Sequence, residues 1–178
     1  MKDVRPTSGK VLLALFSILG SVEGMDFLDL FAGTGRVGME ALKRGASSVV
    51  WVEAVKDRSR AIAQAVPAEF EDRGVTTVLS LELRRGAAWL VRRGLVFDVV
   101  FADPPYHEGW GESLLRVGSL TKILKKGGIM IVERSSREEL AVPEPWAVTE
   151  NRVYGETALT FLRLKAFEFG TAGAGALP

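Results

Sequence analysis

The sequence predicts an α/β fold: a Rossmann-like, mostly parallel seven-stranded sheet that ends in a C-terminal antiparallel hairpin. Three observations predict it. Short apolar runs alternate with helical stretches from residue 25 to residue 140, the pattern of βαβ units whose sheet is covered on both faces. The first apolar run opens into a glycine-rich turn. The later stretch WAVTENRVYGETALTFLRLK holds two strand-like runs around Tyr154-Gly155 with no helix between them, which reads as a hairpin.

The elements follow in order. A first helix, capped by Thr7 or Ser8, buries Val11, Leu12, Leu15, Ile18 and Leu19 on one face and stops at Gly20. MDFLDLF then leads to a helix over 36–44, and SVVWVE to a helix over 57–73 that Pro67 breaks or kinks. TTVLSL leads to 87–93, FDVVFA to 112–124, and GIMIVE to a short helical piece over 136–140. Five βα units and a terminal hairpin depart from the symmetrical dinucleotide-binding fold, in which further parallel units are expected. Residues 1–168 read as a single domain, and the Gly/Ala-rich tail 169–178 as disordered.

Bulk properties narrow the field. A chain of 178 residues fits one domain and buries about two-thirds of its unfolded surface on folding. Apolar residues at 47% and charged ones at 25% are ordinary globular composition, which excludes a fibrous or disordered reading. No apolar run approaches the roughly 18 residues of a membrane helix, and the first ten residues lack a signal-peptide core, so neither secretion nor membrane contact is expected; the lack of cysteine fits a cytoplasmic location, and a monomer is the expectation. The absence of cysteine removes disulfides and thiolate metal sites, and a single histidine, His107, removes a His-rich site. A net charge of +1 carries no polyanion signal, and the basic pairs Arg84-Arg85, Arg92-Arg93 and Lys125-Lys126 read as solvated surface.

The run Asp29-Leu30-Phe31-Ala32-Gly33-Thr34-Gly35-Arg36-Val37-Gly38 follows the first predicted strand and opens a helix. Its G-x-G-x-x-G spacing permits a tight turn and close approach of a ligand to the backbone. The second predicted strand ends at Glu53, with Ala54 next, 20 positions after Gly33. A carboxylate there can accept hydrogen bonds from both hydroxyls of a ribose, so a nucleoside-containing cofactor is the natural ligand. Asp29 narrows the choice. Four residues before the first glycine, it would repel a pyrophosphate but suits a cation such as the ammonium of S-adenosylmethionine, held directly or through water. The plainer alternative is a strand-to-helix turn with Asp29 as a helix cap. The candidate cofactor-binding residues are Asp29, Phe31, Ala32, Gly33, Thr34, Gly35, Glu53 and Ala54.

The second constellation is Asp103-Pro104-Pro105-Tyr106, at the carboxyl end of the fourth apolar strand, the edge where open α/β sheets bind ligands. The prolines end the strand and direct the Pro104 carbonyl away from a ladder partner. An exocyclic amino nitrogen on a nucleic-acid base is a weak nucleophile because its lone pair is delocalised into the ring. Two acceptors on its hydrogens, the Asp103 carboxylate and the Pro104 carbonyl, draw it toward tetrahedral geometry, while Tyr106 stacks on the base. A sulfonium is already a strong electrophile, so the transfer needs no metal and no covalent enzyme nucleophile, and Asp103 takes the proton during or after transfer. A base in structured nucleic acid has to be unpaired or flipped out. A bare Pro-Pro turn with a packing tyrosine is the alternative, and the joint occurrence with the glycine loop and Glu53 argues against it. His107 and Trp110 read as loop and lid residues.

These residues resemble the RsmD-type methyltransferases. The likeness runs from Arg5-Pro6-Thr7 and ALFSILG through FLDLFAGTGRVGMEALKRGA, VVWVE, FADPPY and GGIMIVERS to RVYGETALTFL. The resemblance implies methyl transfer from S-adenosylmethionine to the N2 amine of a guanine in small-subunit (16S) ribosomal RNA, free or in an assembling subunit. It implies cofactor contacts from Asp29, Gly33, Gly35 and Glu53, and base contacts from Asp103, Pro104 and Tyr106. Family members begin with an additional basic strand before the RPT element, where residues 1–4 stand here. They also place an aspartate against the adenine amine after the third strand; Arg85 stands there, which leaves that contact to Glu82 or to backbone groups. Adenine-N6 methylation of DNA or RNA fits the DPPY motif equally. An NAD-dependent oxidoreductase would need a hydride-handling residue and a substrate domain that the sequence lacks, and a catalytically silent nucleic-acid-binding module is opposed by Asp103 and the intact glycine loop.

Overall fold

The structure, a computed structural model, describes residues 8–105 and 110–165. The Arg5-Pro6-Thr7 element, Tyr106, His107 and the tail lie outside the described residues, as does the Trp110 side chain. Ser8 is the cap of α1 (Gly9–Leu19), its hydroxyl accepting from the Val11 N–H at 3.3 Å, and Gly20 with φ 71° ends the helix. The alternation follows as β1 (Asp26–Leu30), α2 (Arg36–Lys43), β2 (Ser48–Val52), α3 (Lys56–Ala65), α4 (Ala68–Glu71), β3 (Thr76–Leu79), α5 (Leu83–Arg92) and β4 (Phe97–Ala102). Then come α6 (Trp110–Leu115), α7 (Gly118–Ile123), β5 (Leu124–Ser135), β6 (Trp146–Tyr154) and β7 (Thr157–Leu164).

Pro67 does break its helix. Val66 leaves α3 in an extended conformation and Pro67, also extended, stands before the short α4. Three expectations need correction. The helix expected over 87–93 starts at Leu83, because Leu83 is buried and Gly86 brings α5 close against β2, where a Cβ would stand 2.8 Å from Val52 Cγ1. The helix expected over 112–124 is two helices, since buried Val117 turns extended between them and Leu124 already belongs to β5. No helix forms over 136–140: the Arg134 guanidinium takes the carbonyls of Ser135 and Glu138, and Ser136 N–H donates to Glu156 O at 2.8 Å, so the backbone groups a helix would use are engaged elsewhere.

Among the described residues the sheet has seven strands in the order β3-β2-β1-β4-β5-β7-β6. Neighbours from β3 to β5 pair parallel, and β7 pairs antiparallel with both β5 and β6, as the alternating runs and the terminal hairpin predict. One face is covered by α1, α2 and α3 through Leu15, Phe16, Val37, Ala41 and Ile62 on Phe27, Trp51, Val99, Phe101 and Phe161. The other is covered by α5, α6 and α7 through Leu90, Leu114, Leu120 and Ile123 on Leu28, Val50, Val100 and Met130. After β1 the chain builds outward to β3 and then returns to β4 on the other side. The strand order therefore reverses between β1 and β4, and a crevice opens there at the carboxyl ends of the strands.

Of the basic pairs, Arg84, Arg85, Arg92 and Arg93 are exposed as expected. Lys125 is not free surface. Its ammonium bridges Asp26 and Asp98, each at 2.7 Å, and ties the start of β5 to β1 and β4 at the edge opposite the crevice. No described helix is long and apolar enough to cross a membrane.

Candidate active site

Side chains alternate across a strand, so the face on which a residue ends is set by its register. Asp29 shares a face with Phe27, and its neighbour across the ladder is Phe101, two residues before Asp103. Phe101 is level with Ile131, two residues before Glu133. On the other side Asp29 is level with Trp51, two residues before Glu53. Phe27, Trp51, Phe101 and Ile131 all belong to the core under α1, α2 and α3. Four carboxyl groups therefore project on one face of the sheet, at the carboxyl ends of β1, β2, β4 and β5.

The glycine loop connects two of them. Glu53 Oε2 accepts from Gly33 N–H at 2.8 Å and Oε1 from Val55 N–H at 2.8 Å, so both oxygens are fixed in direction at the mouth of the crevice. Each keeps lone-pair capacity for a ribose hydroxyl. Ala32 N–H donates to Val52 O at 3.1 Å, and Gly35 N–H folds back to Ala32 O at 2.7 Å. Phe31 holds a φ of 57°, the one non-glycine residue in the left-handed region among the described residues. Such a conformation costs on the order of 1–3 kcal/mol and persists where surroundings impose it, commonly at ligand sites. Thr34 and Ala54 are exposed, while Ala32, Gly33 and Gly35 are buried.

Asp29 does cap α2: its Oδ2 accepts from Gly38 N–H at 3.0 Å. Capping does not account for its whole environment. It is 1% exposed, and burial pushes its carboxyl up to about 8, opposed by the Gly38 bond and reinforced by the charges of Glu53 and Glu133. Asp103, partly exposed, is likewise held well above the usual carboxylate range, first by burial and then by Glu133 and Asp29. Pro104 is buried and Pro105 exposed, which directs the chain out of the sheet immediately after Asp103.

Glu133 was not among the candidates, although it is 3% exposed at the end of β5 and acts electrostatically on both aspartates. Its only sequence signal is one acid inside the apolar run GIMIVE. Glu82 stands before α5 without a side-chain capping bond, exposed at the end of the turn that follows β3, and Arg85 lies exposed in the first turn of that helix. Among the described residues no group of His, Asp and Glu has the arrangement of a metal site.

Together these features form a crevice with a carboxylate ready for a ribose, a backbone turn open to close approach, and the carboxyls of buried Asp29 and partly exposed Asp103, whose ionisation a cationic ligand would favour. A sulfonium nucleoside with an amino-acid ammonium meets each of these; a pyrophosphate would oppose that ionisation. The comparisons with known proteins agree. The family model described as Conserved hypothetical protein 95 matches residues 1–163. Ribosomal RNA small subunit methyltransferase D of Haemophilus influenzae is 29% identical over 158 residues, spanning 86% of this chain and 80% of that protein. A solved hypothetical protein of Thermus thermophilus is 28% identical with a TM-score of 0.71, over 90% of this chain and 89% of that one. Ribosomal protein L11 methylase of Lactobacillus delbrueckii subsp. bulgaricus, 17% identical with a TM-score of 0.65 over 92% and 80%, shares the fold alone. The chain belongs to the conserved hypothetical protein 95 family and has the fold of the S-adenosylmethionine-dependent methyltransferases.

Proposed function

We propose that the protein methylates the exocyclic N2 amine of a guanine in small-subunit (16S) ribosomal RNA. The observation that carries the reading is Asp103, standing beside the strand-order reversal on the face and at the edge where Asp29 and Glu53 frame the cofactor crevice. S-adenosylmethionine is the cofactor and, when bound, supplies an electrophilic methyl group. The name borne by the Haemophilus relative supports ribosomal RNA as the substrate.

Glu53 holds the ribose, the backbone of 31–35 lines the amino-acid end, and Asp29 faces its ammonium. Glu82 or backbone groups after β3 take the adenine. Asp103 accepts one hydrogen of the target amine and Pro104 the other, with Tyr106 stacked on the base. Asp103 would take the proton that the amine nitrogen gives up on gaining the methyl group. Burial and the neighbouring charges of Glu133 and Asp29 raise its proton affinity, the direction that makes a carboxylate a better general base. No metal takes part. The single domain over 1–168 acts as a monomer in the cytoplasm.

The test starts with calorimetric titration against S-adenosylhomocysteine and NAD, where saturable binding of the first alone is expected. Transfer of labelled methyl to small-subunit RNA, followed by nucleoside digestion, distinguishes N2-methylguanosine from N6-methyladenosine. Asp103→Ala abolishes transfer, by at least about a hundred-fold, and leaves S-adenosylhomocysteine binding intact. Glu53→Ala weakens that binding instead. Equal loss of binding in both variants would overturn the division of roles.

A further inference from the structure

The Tyr154-Gly155 turn of the terminal hairpin has no part in the site described above, yet the register brings it to the same edge and face. Ala102 is level with Val132, Val132 with Thr160 and Thr160 with Asn151. One residue further toward the carboxyl edge, Asp103, Glu133, Leu159 and Arg152 stand in a row. Leu159 belongs to the core on the carboxylate-bearing face, and side chains paired across strands share a face. Tyr154, level with Thr157 and through it with Ser135, stands two residues higher on that same face. At strand spacings of about 4.8 Å, β6 lies roughly 14 Å from β4, and a two-residue rise adds about 7 Å of height.

Tyr154 is 36% exposed, so its ring is not committed to the core. The turn beneath it is anchored to the exit of β5. Ser136 N–H donates to Glu156 O at 2.8 Å, Ser136 Oγ donates to Gly155 O at 3.2 Å, and Arg137 pairs with Glu156 at 2.9 Å. Arg152 pairs with Glu150. Arg137 and Arg152 have most of their side chains in solvent, where such pairs contribute little and are exchanged for a phosphate at small cost. An aromatic side chain on an anchored turn, with guanidinium groups on nearby residues, is what sequence-tolerant binding of single strands uses.

We propose that the β6–β7 tip is a stacking platform for unpaired RNA: Tyr154 stacks on a base near the one presented to Asp103, and Arg152 and Arg137 contact the intervening phosphates. The separation is no more than about five stacked nucleotides, and fewer in an extended strand. The inference rests on the RNA reading above and extends it to a second contact on the same strand.

The experiment is fluorescence anisotropy of a labelled, unstructured RNA oligonucleotide of mixed sequence, with S-adenosylhomocysteine present, on wild type, Tyr154→Ala and Tyr154→Phe. Tyr154→Ala weakens RNA binding about ten-fold, while Tyr154→Phe stays within about two-fold of wild type, because the ring and not the hydroxyl stacks. All three bind S-adenosylhomocysteine equally and unfold at the same temperature. RNA affinity unchanged in Tyr154→Ala, including the case in which the tip serves a protein partner, overturns the inference. So does Tyr154→Phe as weak as Tyr154→Ala. If wild type binds the oligonucleotide and Tyr154→Ala does too, this inference alone falls; if wild type neither binds RNA nor methylates it, the substrate reading falls with it.

Discussion

Asp29 keeps its proton at neutral pH, since burial pushes its carboxyl up to about 8 and the charges of Glu53 and Glu133 add to the effect. The unfolded chain releases that proton near the ordinary aspartate value of 3.8. Between the two values the folded state binds more protons than the unfolded one, so stability falls as pH rises from about 4 to about 8 and is flat beyond. The loss is on the order of a few kcal/mol, with Asp103 acting in the same direction. Asp29→Asn flattens that slope, which thermal unfolding from pH 4 to pH 9 reads directly; an unchanged slope would show that Asp29 is ionised in the folded protein. The place of Asp29, Glu53 and Asp103 at the carboxyl edge was legible in the sequence, because Asp29 stands just before the glycine turn, Glu53 closes an apolar run 20 positions after Gly33, and Asp103 closes one before a diproline. Glu133 was not. Its nearness to Asp103 depends on β4 and β5 being neighbours, a fact of strand order that a single acid among apolar residues does not carry.

At the scale of elements, α2 and β2 join closely beside the cofactor crevice. A Cβ on Gly38 would meet the Trp51 indole, with Cε2 at 2.5 Å, and Val49 Cγ1 at 2.9 Å. The same indole donates its N–H to Gly35 O at 3.1 Å, while Gly38 N–H is the donor that Asp29 accepts. Gly38→Ala forces α2 away from the sheet and loosens both bonds. An overpacked core of this kind costs about 1–3 kcal/mol, measurable by denaturant unfolding, and S-adenosylhomocysteine affinity falls with it. A variant as stable as wild type would mean that the third glycine only permits the turn. The spacing of this loop was readable before the structure, because a turn is local chemistry. The helix positions on the opposite face were less so. The start of α5 at Leu83, the split between α6 and α7 and the non-helical 136–140 are decided by contacts with β2, with the core around Val117 and with the hairpin, none of which lies nearby in sequence.

For the whole molecule, the parallel strands and the closing hairpin followed from the alternation of runs, but the place of β7 between β5 and β6 did not. Either strand of a hairpin satisfies the same pattern at the sheet edge. The structure puts the later strand inside: Ala158, Leu159, Thr160, Phe161 and Leu162 are all buried, whereas β6 is exposed along most of its length. A chain ending at Glu156 leaves β5 with an unpaired edge and β6 with no partner, and is expected to be insoluble. Far-UV circular dichroism and unfolding of any soluble fraction check this, and a cooperative native-like transition would overturn it. The order also constrains how the protein is made. β7 joins β5 to β6 and is the last strand in chain order among the described residues, so the emerging chain has these parallel units in hand before it has the strand that completes them. Until β7 has been added, β5 presents an open edge and part of the core stays uncovered, the condition in which an incomplete chain is prone to aggregate.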